Sequence, residues 1–158
     1  MLKSLLVTKK IIQKKYPSFA YTVFNDTPVT PLSKPLHDCK VALLTTGGLH
    51  LKTDIPFDTK HKEGDCSYRI LPGNMKHTDI MVTHDSYDHT FINEDINCVF
   101  PVDRMREYVK EGKIKSLSEE HYSFMGHIYV TGPLLDNSAK VGECLKERGV
   151  DIAFLTPT

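Results

Sequence analysis

Val41-Ala42-Leu43-Leu44-Thr45-Thr46 is a continuous apolar run stopped by Gly47-Gly48, the pattern of a strand buried on both faces that runs into a turn. Shorter runs with strand character cover Ser67–Leu71, Asp79–Thr83, Phe124–Val130 and Asp151–Leu155. Between them the spacing changes to that of helices. Pro101 opens a segment with Val102, Met105, Tyr108 and Val109 on one side and Gly112 as its stop. Asn137–Arg148 carries Ala139, Val141, Cys144 and Leu145 on an inward stripe and ends at Gly149.

The first third of the chain is patterned differently. Residues 4–15 place Leu5, Leu6, Ile11 and Ile12 among lysines, which predicts a short amphipathic helix that docks onto the body or onto a partner. Pro17, Pro28, Pro31 and Pro35 then impose extended, non-helical chain. The expected organisation is an N-terminal helix and proline-rich arm over 1–37, followed by an α/β domain over 38–158. Alternating strands and helices predict a mostly parallel sheet with flanking helices, Rossmann-like or flavodoxin-like. The last unit, helix, Gly149, strand, then Thr156-Pro157-Thr158, ends on the kind of loop where open α/β sheets bind ligands, so the domain is expected to be incomplete at its C-terminus.

Composition narrows the function classes. The 158 residues hold 20 Lys+Arg against 20 Asp+Glu, so no net charge draws the chain toward nucleic acid or an anionic membrane. No apolar run approaches the roughly 18 residues of a membrane span. The four cysteines, Cys39, Cys66, Cys98 and Cys144, form no C-x-x-C unit, which suits reduced thiols in the cytoplasm. Cys98 and Cys144 read as buried, inert thiols.

Candidate chemistry gathers in His84-Asp85-Ser86-Tyr87-Asp88-His89-Thr90, followed by Ile92-Asn93-Glu94-Asp95-Ile96-Asn97. Imidazoles interleaved with carboxylates can act as acid and base or hold a metal, and a solvated loop of turn-forming Asp and Asn residues has the same composition. The step from His84 to His89 matches no zinc signature, and no metal is assigned. Thr45-Thr46-Gly47-Gly48 offers backbone amides and hydroxyls to an anionic group, but it matches neither G-x-G-x-x-G nor a P-loop, and a turn glycine pair explains it better. His127 follows Gly126 at a strand end, where glycine permits close approach, and a satisfied structural histidine fits the position equally well.

Several stretches together resemble one family. They are Thr30-Pro31-Leu32-Ser33-Lys34-Pro35-Leu36, Val41 through Gly48, His84-Asp85-Ser86-Tyr87-Asp88, Ile92 through Arg104, His121-Tyr122-Ser123-Phe124-Met125-Gly126, and Gly149-Val150-Asp151 with Leu155-Thr156-Pro157. In this order they are similar to the selenoprotein B family of glycine, sarcosine and betaine reductases and of D-proline reductase, with Asn93–Arg104 the most specific block. The resemblance implies reductive cleavage of a C–N bond in an amino acid or amine, in anaerobic amino-acid fermentation. It implies a selenocysteine or cysteine just after Thr158 as nucleophile, thiols as reductant, other subunits of a reductase complex as partners, and a pyruvoyl group on a separate subunit. On that basis His84 and Asp88 are the expected catalytic residues, polarising or protonating a leaving amine. Thr46, Gly47, Gly48, Asp85, Asn93, Glu94, Asp95 and His127 are expected to bind the substrate, with Glu94 or Asp95 holding an ammonium. No cofactor is expected within the chain. Selenocysteine is encoded by UGA, so the natural protein is expected to continue past Thr158, and this chain alone to be inactive. A homo-oligomer is compatible with the sequence. Two other classes are compatible too: a non-catalytic substrate-binding or assembly subunit, and a metal hydrolase using His84, His89 and nearby carboxylates.

Overall fold

A computed structural model describes residues 29–158 together with Lys10, Ile11, Lys14, Asn25 and Asp26. Most of the N-terminal helix and half of the proline-rich arm therefore lie outside the described residues. Residues 32–158 form one unit and carry every element below.

Strand β1 (Lys40–Thr45) is the centre of the fold. Its side chains alternate between two cores. Val41 and Leu43 join Leu71, Phe100, Val102 and Met105 on one face. Ala42 joins Tyr122, Phe124, Val141 and Leu145 on the other. Burial on both faces is why this strand reads as unbroken apolar sequence rather than as an alternation. Each large side chain so enclosed contributes about 1.5–3 kcal/mol.

The neighbours of β1 are parallel to it. On one side lie β5 (Ser116–Leu117) and β6 (Glu120–Phe124), two pieces of one line of chain, with Lys40 opposite Ser116 and Leu44 opposite Tyr122. Between the two pieces, the Leu43 amide donates to Nδ1 of buried His121 at 3.1 Å, so a side chain takes the place of a ladder carbonyl. On the other side, β7 (Ile152–Thr156) pairs with β1 from Val41↔Ile152 to Thr45↔Thr156. The sheet is nevertheless mixed, which corrects the mostly parallel expectation. Strand β3 (Tyr68–Pro72) runs antiparallel to β6, and β2 (Leu49–Leu51) with β4 (Ile80–Val82) forms a separate antiparallel pair. Composition and periodicity locate strands but carry no information on which edge each one joins.

The helices cover both faces. The short α1 (Thr90–Glu94) precedes a 3-10 turn at Ile96–Cys98, and α2 (Val102–Lys110) packs Val102 and Met105 into the first core. The second face is covered by α3 (Gly132–Glu147), through Val141 and Leu145. It begins at Gly132 rather than at Asn137, because Pro133 sits in the first turn, where its missing N–H has no intrahelical partner to lose. The strand expected at Phe124–Val130 lies earlier, at Glu120–Phe124. Gly126 (φ +70°) and His127 (φ +52°) leave extended geometry and end it. Among the described residues, no helix is long and apolar enough to cross a membrane.

Candidate functional site

Because β1, β6 and β7 run parallel, their carboxyl ends meet along one rim. Thr46 N–H donates to the Thr156 carbonyl (3.3 Å), and Gly48 N–H to the Phe124 carbonyl (2.9 Å). The Thr158 amide donates to Thr46 Oγ1 at 3.0 Å. The loop after β4 completes the rim, with the Thr83 amide donating to the Gly48 carbonyl at 2.9 Å.

The glycine pair is held for packing. Gly47 donates its amide to Thr45 Oγ1 (3.1 Å), and the Gly48 amide is already committed to Phe124. Neither is left for an anion, so the Gly47-Gly48 turn is not a phosphate-type cradle. A β-carbon at Gly48 falls 2.3 Å from the Thr83 carbonyl oxygen at φ +68°, which only glycine tolerates.

His84 is 8% exposed. The Ser86 amide donates to its Nδ1 at 3.0 Å, whereas its Nε2 is buried without a hydrogen-bond partner among the described residues. Burial holds this imidazole below the usual histidine range; Asp85 opposes the shift, and His127 and His89 reinforce it. Tyr87 packs its ring against both His84 and His89, at centroid distances of 4.8 and 4.7 Å, and donates its hydroxyl to the Gly47 carbonyl at 2.8 Å. Burial pushes the Tyr87 phenol up to about 12, so it remains a donor at neutral pH.

His127 reaches the rim with its ring nitrogens engaged. Nδ1 lies 2.9 Å from Asp85 Oδ1 and 2.7 Å from Ser86 Oγ, and Nε2 hydrogen-bonds the Tyr129 hydroxyl. The hydrogen bond from His127 holds the Asp85 carboxyl below its ordinary range, supported by Ser86.

The remaining expected residues are placed elsewhere. Asp88 is exposed and accepts from the amide and hydroxyl of Thr90 (2.9 and 2.7 Å), which ties down the start of α1. Asn93 and Glu94 line a separate cavity of about 130 Å³ with His77, Ile80 and Met81. Asp95 caps the 3-10 turn by accepting from the Asn97 amide at 2.9 Å. The structure thus brings together Thr46, Gly47, Gly48, His84, Asp85 and His127, and sets Asp88, Asn93, Glu94 and Asp95 to other tasks. Ser86, Tyr87 and Gly126 were given no role from the sequence. A lone aromatic inside a polar run, and a glycine just before a histidine, were the available signals.

Cys98 is exposed rather than buried, because Ile96 takes the inward position of the same turn. Partial burial and Asp95 raise its thiol above the ordinary value, which works against a thiolate. Among the described residues, no group of three or more His, Cys, Asp or Glu is placed to hold a metal ion. Next to the rim, on the α3 side, is a cavity of about 480 Å³ lined by Leu44, Phe124, Ile128, Leu134 and Leu155, with Thr46 and Gly126 on its wall. No charged side chain lines it.

Comparison with known proteins agrees with the resemblance found in the sequence. The chain is 40% identical over 153 residues to D-proline reductase subunit gamma of Acetoanaerobium sticklandii, covering 92% of this chain and 60% of that protein. It is 34% identical to glycine reductase complex component B subunit gamma of Carboxydothermus hydrogenoformans, over 85% of this chain and 32% of the relative. It is 31% identical to sarcosine reductase complex component B subunit beta of Peptoclostridium acidaminophilum, over 98% of this chain and 36% of the relative. The chain therefore spans between about a third and 60% of the length of these relatives. No solved structure matches it. The model of glycine/sarcosine/betaine reductase selenoprotein B matches residues 4–158, and the chain belongs to that family.

Proposed function

We propose that this chain is the rim-forming part of an amino-acid reductase component, acting in the cytoplasm with other subunits of a reductase complex. In this reading a selenocysteine or cysteine following Thr158 is the nucleophile. Its anion attacks the substrate carbon, the C–N bond breaks with its electron pair on nitrogen, and nitrogen takes a proton. Two thiols of the reductant then supply the two electrons that replace the Se–C or S–C bond by C–H, becoming a disulfide. A pyruvoyl group, where a substrate needs one, belongs to a partner subunit.

The observation that carries this reading is the seat of the last residues. Thr158 is bonded through its amide to Thr46, and its side chain lies 3.5 Å from a β-carbon placed on Gly47. Thr46 in turn lies beside Gly126 and His84, so in this reading the nucleophile works on the rim that His84 helps to form. His84 serves this chemistry by hydrogen bonding. Asp88 stays outside it while it ties down α1. Among glycine, sarcosine, betaine and D-proline, the identity to the D-proline reductase subunit favours D-proline.

The test is thiol-dependent ring opening of D-proline by the assembled complex containing this chain extended past Thr158. His84→Ala is expected to lower turnover at least about tenfold. Unchanged kinetics remove His84 from the mechanism.

A second reading, a non-catalytic assembly subunit, is favoured by one observation. Strand β7 is an edge with Phe154 and Leu155 exposed by 41% and 66%. Such an edge accepts further polypeptide by strand pairing. Stable assembly without turnover in the extended complex would select this second reading.

A further inference from the structure

Strand β7 has the sequence of an interior strand and the surroundings of an edge. Its register with β1 puts Ile152 and Phe154 on the face of Val41 and Leu43, and Ala153 and Leu155 on the face of Ala42 and Leu44, which α3 covers. Ala153, Phe154 and Leu155 are nevertheless exposed, and the edge turned away from β1 pairs with no strand among the described residues. Parallel strands are normally buried on both faces. The flank of α3 next to β7 is open too. Ser138 lines the cavity of about 480 Å³ together with Leu134 and Leu155. Leu135 and Gly142, three residues before Ser138 and four after it, share its flank. Leu135 is 68% exposed, and a β-carbon on Gly142 would meet no atom within 4 Å. Asp136, Lys140, Glu143 and Glu147 make a separate, charged face, so the uncharged surface of α3 runs past the core that it covers.

From β6 the chain crosses β1 through α3 to reach β7, with the three strands parallel and α3 on the Leu44 face. Crossovers between parallel strands of one sheet share one hand, so a further step in the same direction lays its helix on the same face, beside α3. We propose that the occupant is the segment following Thr158: a helix packed on Leu135, Ser138 and Gly142 over the cavity, then a strand parallel to β7 on its free edge. Thr156 and Pro157 line the cavity, so the chain leaves β7 where the cover is needed. The D-proline reductase subunit is longer than this chain, which spans 60% of it, and a crossover takes about a dozen residues or more. This docking rests on the reading in which the protein continues past Thr158. It gives the free edge of β7 to the chain itself and leaves that edge closed to a partner subunit.

Thiol labelling at Phe154→Cys and Leu155→Cys, read residue by residue by mass spectrometry, separates the two faces of β7 without any turnover. In the 158-residue chain both positions are expected to label freely. In the chain extended past Thr158, labelling of Leu155→Cys should slow at least about a hundredfold and that of Phe154→Cys less than about tenfold. The β7 amides that do not pair with β1 should gain hydrogen-exchange protection of at least about a hundredfold in the extended chain. Gly142→Trp, which blocks the flank of α3, should restore labelling of Leu155→Cys. Protection of Phe154→Cys with Leu155→Cys left open would put the helix on the other face and overturn the proposal, as would no change at either position. Protection of Leu155→Cys already present in a dimer of the 158-residue chain, and not increased by extension, would give the cavity to a second copy and overturn it too. Protection of Leu155→Cys in an assembled complex inactive toward all four substrates would support the docking and sink the reductase reading. Turnover with Leu155→Cys open would keep that reading and sink the docking.

Discussion

The block from Asn93 to Arg106, with His77 beside it, and the rim around His84 are both rich in polar side chains, but they use them differently. In the first, polar groups satisfy one another. The Asn97 amide nitrogen bridges Asp95 (2.8 Å) and Asp103 (3.0 Å), while Asp103 also takes Arg106 at 2.8 Å and His77 at 2.9 Å. Arg106 in turn donates to the Gly73 and Met75 carbonyls at 2.9 and 3.1 Å. This knot fastens the start of α2 to the loop after β3. At the rim, by contrast, His84 Nε2 and His89 Nε2, on rings packed against Tyr87, are buried without a hydrogen-bond partner among the described residues, as is His121 Nε2 in the core. An unpartnered buried polar group costs about 1–3 kcal/mol. The most distinctive sequence therefore marks how the fold is fastened, and the less distinctive rim holds the candidate site.

That contrast can be broken in four places. The largest effect is expected at Gly48, in the rim's framework: Gly48→Ala meets the Thr83 carbonyl at 2.3 Å in a left-handed backbone. It should lose about 3 kcal/mol or more in a urea titration. A loss under 1 kcal/mol would show that the turn is pliable and that the rim is not a fixed frame.

Acidification comes next. His121 is fully buried, and burial, helped by Arg106, lowers its pKa to about 4 from the 6.5 of a free histidine. The unfolded chain therefore takes up the proton first. Stability is complete above pH 6.5 and falls as the pH drops toward 4, by about 1.4 kcal/mol per unit for this one group. His84, shifted in the same direction, adds to the fall. His121→Asn should flatten a plot of stability against pH between 6.5 and 4; an unaltered slope assigns the acid sensitivity elsewhere.

Asp103→Ala in the knot should cost about 2 kcal/mol, since three partners lose their acceptor. It should leave turnover by the extended complex unchanged, and a lowered turnover would couple knot to rim. The smallest effect is expected for Tyr87→Phe, which keeps the ring against His84 and removes the hydrogen bond to Gly47. About 1 kcal/mol is expected in a urea titration, and no loss would show that the Gly47 carbonyl finds another donor.

Much of the fold was legible because burial leaves a simple trace. The unbroken apolar run of β1 marked the strand covered on both faces, and Pro101 with Gly112 bracketed α2. Pairing was not legible. Nothing in Tyr68–Pro72 distinguishes an antiparallel neighbour of β6 from a parallel one, and the two residues of β5 are too few to show a period. The rim's position was legible because strands end together, and Thr46, Gly47, Gly48, His84, Asp85 and His127 lie along it. Their hydrogen-bond commitments were not, because whether the Gly48 amide is free or the Asp95 carboxylate is a cap depends on a partner distant in the chain or on local φ/ψ. The same limit hid Ser86, which acts through its backbone and leaves no side-chain signature.

The central claim is that the rim faces a nucleophile in an amino-acid reductase. Its most direct measurement is product formation from D-proline by the assembled complex, using this chain extended past Thr158 with the segment aligned from D-proline reductase subunit gamma. The account predicts dithiothreitol-dependent release of the ring-opened ω-amino acid, strongly reduced by His84→Ala and absent with the 158-residue chain alone. Turnover by the 158-residue chain at the rate of the extended form, or none by a correctly assembled extended complex with any of the four substrates, would contradict it.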